Sequence, residues 1–113
     1  MRAKFPVLTL LLLGCILTAG CPRRESIAKI YRDPGRFMGR DIAIAGRVTS
    51  SFGAMGSGVF QIDDGTGTMW VFSEHYGVPA EGDKLAVVGR LKEGFTFGTR
   101  SFATILIETE RRH

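Results

Sequence analysis

One strand-like string is written twice in this chain. "GRDIAIAGRV" at 39–48 returns as "GDKLAVVGRL" at 82–91, with Gly39, Ala43, Gly46 and Arg47 recurring as Gly82, Ala86, Gly89 and Arg90. Ile42, Ile44 and Val48 are replaced by other aliphatics, Leu85, Val87 and Leu91. The offset of 43 residues is too short for an independent domain without other stabilising devices. The repeat therefore describes two similar strands of one domain. Both strings alternate with period two and both hold a glycine in mid-strand, where it weakens pairing unless the chain bends or bulges. Gly46 and Gly89 are thus expected at bends, and two long bent strands are what a small sheet needs to close on itself.

The N-terminus has a different character. Arg2 and Lys4 precede an apolar run, Phe5 to Leu17, and "LTAGC" at 17–21 places small residues before a cysteine. This resembles a bacterial lipoprotein signal, with cleavage before Cys21 and a lipid of the palmitate type on its thiol. Thr18 departs from the usual Leu of such motifs, and "LLGC" ending at Cys15 is a competing site. A membrane-spanning anchor is the other reading, but the run falls short of the ~20 residues that a bilayer helix needs. The expected organisation is a signal at 1–20, a lipidated linker at 21–25 and one domain at 26–113, in the bacterial cell envelope and facing the periplasm. Pro22 lacks the Asp of inner-membrane retention, which leans toward outer-membrane sorting.

The chain after the signal has 93 residues, with 13 Lys and Arg against 11 Asp and Glu, a net of +2. That balance does not by itself point to nucleic acid. With Cys15 removed and Cys21 lipidated, no disulfide or thiol ligand remains, and the domain depends on its core alone.

Within it, "SIAKIYRD" at 26–33 predicts a short helix: Ser26 can cap it, and Ile27, Ile30 and Tyr31 make one apolar stripe. "DPG" at 33–35 stops it. Strands are predicted at 41–50, 58–63, 68–72, 83–93 and 101–110, with "DGTG" at 64–67 as a tight turn. In the third strand Met69 and Val71 are expected inward, opposite Trp70 and Phe72.

"PGRFMGRDIAIAGRV", "GVFQIDDGTGTMWV" and "PAEGDKLAVVGRL" together resemble an OB-fold (oligonucleotide/oligosaccharide-binding) domain of the anticodon-binding-like type over roughly 34–110. The resemblance implies an all-β, five-stranded Greek-key barrel, here with one short N-terminal helix. The 73–82 link is too short for the substantial helix that many such domains place between strands 3 and 4, so the helix at 26–33 is a candidate cover for the barrel mouth.

In OB-folds that bind ligands, the outer face of strands 2 and 3 is used, flanked by the loops after strands 1 and 4. By that mapping the loops are 50–58, carrying Phe52, and 94–99, carrying Phe95 and Phe97. The sheet face between them would present Arg47, Gln61, Trp70 and Phe72, with Arg90 and Arg100 nearby. Aromatics beside a basic face suit stacking on bases or sugars. The same phenylalanines could instead plug the barrel ends, and Arg47 and Arg90 also suit plain solvated strand positions.

Catalytic patterns are thin. Asp63 and Asp64 are adjacent, so in a strand they point to opposite faces and do not pair as acid and base. His75 has no second His or Cys to form a metal site. The expectation is a binding module rather than an enzyme, with no cofactor or metal. Its ligand would be single-stranded nucleic acid, a glycan or another anionic molecule; the alternative is docking of an envelope protein.

Overall fold

The computed structural model describes residues 23–54 and 56–112. The expected signal, Cys15 and the lipidation site Cys21 lie outside the described residues.

Five strands carry the fold: β1 (Ile42–Ala54), β2 (Ser57–Asp63), β3 (Thr68–Ser73), β4 (Lys84–Phe97) and β5 (Arg100–Arg112). They form one sheet in the order β1-β2-β3-β5-β4, closed into a ring by pairing of β4 with β1. Neighbours are antiparallel except β3 and β5, which run parallel at Val71–Leu106 and Phe72–Ile107. The interior is filled by alternate residues, among them Ile44, Val48, Phe60, Ile62, Met69, Val71, Val87 and Leu106. As expected, Met69 and Val71 point inward.

Two segments expected as loops are largely strand. β1 continues to Ala54 and β2 begins at Ser57, while β4 continues to Phe97 and β5 begins at Arg100. The reversals shrink to two residues each, with Gly56 and Gly98 at positive φ (85° and 62°), where glycine carries no steric penalty. Glycine and serine are poor strand formers by propensity; burial of the neighbouring aromatics outweighs that preference.

The repeated glycines have a sharper role than bending. A Cβ on Gly46 would collide with the Asp63 carbonyl oxygen on β2, and one on Gly89 with the Ile107 carbonyl oxygen on β5. At each point a neighbouring backbone crosses closer than any side chain permits. β1 pairs with β4 over residues 42–47 and with β2 from Arg47 onward, so Gly46 sits where the strand changes partner.

Each long strand also meets a bulge. The β1–β2 register shifts between Val48 and Ser50, leaving Thr49 as the extra residue. The β4–β5 register shifts between Val88 and Gly89, whose partners are Glu110 and Glu108, leaving Thr109 as the extra residue. Both threonine hydroxyls serve the disrupted ladder: Thr49 Oγ1 donates to Gln61 Oε1 (3.0 Å) and Thr109 Oγ1 to the Val88 carbonyl (3.2 Å). A bulge swaps the faces of everything beyond it.

Among the described residues one helix, α1 (Ile27–Arg32), is followed by a single 3-10 turn at Pro34–Arg36. Six residues are too few to be helical alone. Ile27 and Ile30 are fully buried in the main core, and the β2–β3 turn holds the first turn of the helix. The Ile27 N–H donates to Asp64 Oδ2 (2.8 Å) and the Ala28 N–H to Thr66 Oγ1 (3.1 Å), while Ser26 Oγ accepts from the Lys29 N–H. Asp64 Oδ1 meanwhile accepts from the Thr66 hydroxyl (2.6 Å) and the N–H groups of Thr66 and Gly67. "DGTG" is therefore both a turn and the cap of a helix 37 residues away.

The link from Ser73 to Lys84 contains no helix. It is held by Arg111, which the sequence presents as one of two basic residues near the chain end. Arg111 makes a two-pronged ion pair with Glu108 (2.8 and 3.0 Å) and donates to the carbonyls of Tyr76 (3.0 Å) and Gly77 (2.7 Å). Its guanidinium lies 5.2 Å from the Phe60 ring centre, and both charged side chains are almost wholly buried. Val78 then packs on the main core.

Two expectations follow. Arg111→Ala leaves Glu108 buried and uncompensated, so urea denaturation should show a loss of about 3–5 kcal/mol; adding Glu108→Gln should restore part of it by removing the stranded charge. For Asp64, partial burial raises its pKa, but hydrogen bonds from the Thr66 hydroxyl and the N–H groups of Ile27, Thr66 and Gly67 outweigh this and hold it below 3.8. A depressed carboxylate contributes stability that is complete above its unfolded pKa and lost as pH falls through the folded one. The thermal midpoint of the native chain should therefore drop below about pH 4 by more than that of Asp64→Asn; equal drops would remove Asp64 from the account.

Candidate ligand-binding face

Outward-facing residues assemble a second apolar cluster on the outside of the ring. Trp70 and Phe72 alternate with the inward Met69 and Val71 on β3. Val59, between inward Phe60 and the hairpin end, faces outward opposite both Phe72 and Phe52. Phe52 reaches this face only because of the bulge at Thr49: counted by twos from inward Val48, it would point into the ring. The β4–β5 hairpin supplies Phe95 and Phe97, with Phe102 directly opposite Phe95. Val59, Phe102 and Ile105 are buried, while Phe52, Trp70, Phe72, Phe95 and Phe97 are half-buried.

The rings form a continuous chain of contacts. Phe72 lies 4.8 Å from Phe95 and 5.8 Å from Phe97, and Phe97 lies 6.0 Å from Phe52. Phe52 meets Trp70 edge-on at 5.9 Å, and Trp70 meets Phe102 at 5.3 Å. These are the tilted and T-shaped arrangements that aromatic quadrupoles favour. Arg100 lies across three of them, its guanidinium carbon 5.0 Å from the Trp70 ring centre, 5.2 Å from Phe52 and 5.7 Å from Phe102. Lys92 Nζ lies 5.6 Å from Phe95. The Arg100 guanidinium has no hydrogen-bond or ion-pair partner among the described residues, so its N–H donors are available outward.

The nine residues expected on the ligand face divide into two groups. Phe52, Trp70, Phe72, Phe95, Phe97 and Arg100 come together, and Gln61 sits beside them on β2, opposite Trp70, its Oε1 engaged by Thr49. The phenylalanines neither wave on loops nor plug the ring; they are strand residues bound to one another. Arg47 and Arg90 belong elsewhere. Arg47 donates to the Gly82 carbonyl (3.2 Å) and Arg90 pairs with Asp41 (2.9 Å), so each is taken by a partner that is not part of the aromatic face. Phe102 is the member that the sequence did not single out. A hairpin reversal at Gly98–Thr99 would have set it opposite Phe95.

A separate cleft of about 390 Å³ lies between Arg24, Gly46, Arg47, Asp63, Asp64 and Lys84. Its acids are already engaged, Asp64 by the helix cap and Asp63 by the Gly65 N–H (2.8 Å). Charges of both signs line it, so it offers no uniform field for a ligand. Among the described residues no three His, Cys, Asp or Glu side chains come close enough to hold a metal.

No family model and no curated protein matches the chain. A solved structure, "OBody AM3L09 bound to hen egg-white lysozyme", is similar to it with a TM-score of 0.57, covering 81% of this chain and 95% of that one at 12% identity. The likeness is one of fold. It lends no residue of the aromatic face a role.

That geometry makes Trp70 a structural member of the face. Trp70→Ala should cost about 2–4 kcal/mol, less than the roughly 3–5 of a fully buried aromatic because the ring is half-exposed, and Trp70→Phe much less. Circular dichroism during urea unfolding measures both; an unchanged midpoint for the alanine variant would make the ring a bystander.

Proposed function

We propose that this chain is a non-enzymatic binding module, tethered to an envelope membrane through a lipid on Cys21, which holds an oligomeric anionic ligand on its aromatic face. In this reading the closed sheet is an OB-type Greek-key barrel. The ring order β1-β2-β3-β5-β4, with β3 and β5 parallel, supports that assignment, as does the placement of the cluster on the outer face of β2 and β3. Single-stranded nucleic acid is the ligand class that the face suits best.

Arg100 is the observation that carries the reading. A guanidinium laid on aromatic rings is held in one plane and keeps its fork of donors, a geometry that matches phosphate or carboxylate. Half-buried rings on both sides provide surfaces for bases or sugars. With Arg47 and Arg90 turned to other partners, the cationic contribution falls to Arg100 and Lys92. The face is therefore suited to stacking with one or two anionic contacts, and a steep polyanion funnel is not what it offers.

A second reading is docking of an envelope protein. Trp, aromatic and Arg side chains clustered in one patch are the composition of interface hot spots, and the similar OBody structure is described as bound to lysozyme.

Titration of Trp70 fluorescence with single-stranded oligonucleotides separates the two. Binding is expected with a shallow salt dependence, reflecting one or two phosphate contacts, and Arg100→Ala should weaken it at least ~10-fold, as loss of a charged hydrogen bond implies. Absence of any oligonucleotide response, with an envelope protein captured in an Arg100-dependent manner, would replace the first reading by the second.

A further inference from the structure

Charge is distributed unevenly along the chain, and in one segment most of the positive charge is without an ion-pair partner among the described residues. Residues 23–40 carry six Lys and Arg against Glu25 and Asp33, a net of +4, whereas 41–113 carry seven against nine, a net of −2. Lys29 pairs with Glu25. The five arginines of the segment, Arg23, Arg24, Arg32, Arg36 and Arg40, form no ion pair among the described residues and are all exposed. Arg32 ends α1, Arg36 ends the 3-10 turn, and Arg40 lies four residues beyond it, where its Nη1 donates to the Arg36 carbonyl (3.3 Å).

Apolar groups accompany these cations. Only three large hydrophobic side chains are well exposed among the described residues, and two of them, Tyr31 (46%) and Met38 (37%), lie between the arginines. Tyr31 keeps part of its ring at the surface while its hydroxyl donates to the buried Met69 Sδ (3.6 Å), and the third, Tyr76, is tied by its hydroxyl to the Thr109 carbonyl. Cationic, aromatic and flexible apolar side chains exposed along one short segment are what an interfacial membrane contact uses.

The chain path points the same way. Arg24 bridges Ala43 and the Glu25 N–H donates to the Ala43 carbonyl (2.8 Å), which pins the start of the domain to β1 beside α1. Arg23 is two residues from Cys21, at most ~7 Å of extended chain. A lipid on Cys21, the proposed anchor, would enter within that reach of Arg23.

We infer that the 23–40 surface docks on an anionic phospholipid bilayer, with its arginines among the headgroups and Met38 and the exposed ring face of Tyr31 at the acyl boundary. The docking is separate from ligand binding on the aromatic face and holds whether or not that reading does. It also fixes orientation. α1 is bonded to the β2–β3 turn, while Val59 and Phe72, at the other ends of β2 and β3, belong to the aromatic cluster. Four residues of strand, ~13 Å, separate Asp63 from Val59, so a bilayer under α1 leaves the hairpin ends pointing away from it.

The test uses residues 22–113, which contain every described strand, the helix and both apolar clusters, and needs no lipid anchor. Cosedimentation is measured with vesicles of phosphatidylcholine alone and of phosphatidylcholine mixed with phosphatidylglycerol. Binding is expected only to the mixed vesicles and should fall as salt is raised. Arg32→Gln/Arg36→Gln/Arg40→Gln should weaken it roughly 100-fold, at about fivefold per charge, and Arg100→Ala should leave it unchanged. Circular dichroism checks the fold of the triple variant; if it does not fold, Arg36→Gln alone should still show its fivefold loss. Equal binding to both vesicle types, no binding, or binding indifferent to the arginines would overturn the inference. So would a triple variant that lost single-stranded DNA but still bound the mixed vesicles, since the surface would then be a nucleic-acid site.

Discussion

Ring closure depends on two places where one backbone runs against another with no side chain between them. At Gly46 the carbonyl of Asp63 occupies the space of a Cβ, and at Gly89 the carbonyl of Ile107 does. Five strands can enclose a filled interior only if the long ones serve two neighbours each, and a strand that changes partner must twist sharply where it does so. The echo between 39–48 and 82–91 follows from that demand. Two positions under the same steric constraint, each flanked by inward aliphatics, arrive at similar strings within one domain.

The bulges at Thr49 and Thr109 do the complementary work. With strict alternation from Ile42 to Ala54, every even-numbered residue of β1 would point inward, Phe52 included. One extra residue transfers the distal half of the strand to the opposite face. The proximal half of β1 thus packs the ring interior, and the distal half helps build a second apolar cluster outside it. A chain of this size gains two small cores from one sheet, which matters where no disulfide supports the domain.

Much of this was legible in the sequence, and the exceptions have physical causes. Period-two alternation located all five strands, and Ser26 with Ile27 and Ile30 located the helix, because local pattern and tertiary burial agree there. The ends of β1 and β4 were not legible: "SSFGAMGSG" and "GFTFGT" have loop composition and become strand only because their phenylalanines find one another. Phe52 could not be assigned a face without knowledge of the bulge, since periodicity carries no mark of an inserted residue. Arg111 looked like a solvated charge near the chain end. Its four hydrogen-bond partners include two carbonyls of the 74–83 link, and no local pattern encodes a partner more than 30 residues away.

The same long-range logic joins the parts of the site. Arg100 is oriented by rings from β1, β3 and β5, so its position reports on the pairing of both long hairpins at once. Any force that separates the β1–β2 hairpin from the β4–β5 hairpin pulls Phe52 from Phe97 and frees Arg100 from Phe52 before it disturbs the ring interior, because the half-buried cluster has less apolar area to lose. Burial is therefore graded across the molecule, complete for much of the ring interior and partial for the rings at the two hairpin ends. Ligand faces are drawn from such regions, where a few ångströms of adjustment cost little and the scaffold beneath does not move. In the proposed reading, a ligand on the aromatic face would meet the hairpin ends, while the helix end of β2 and β3 is held by Asp64.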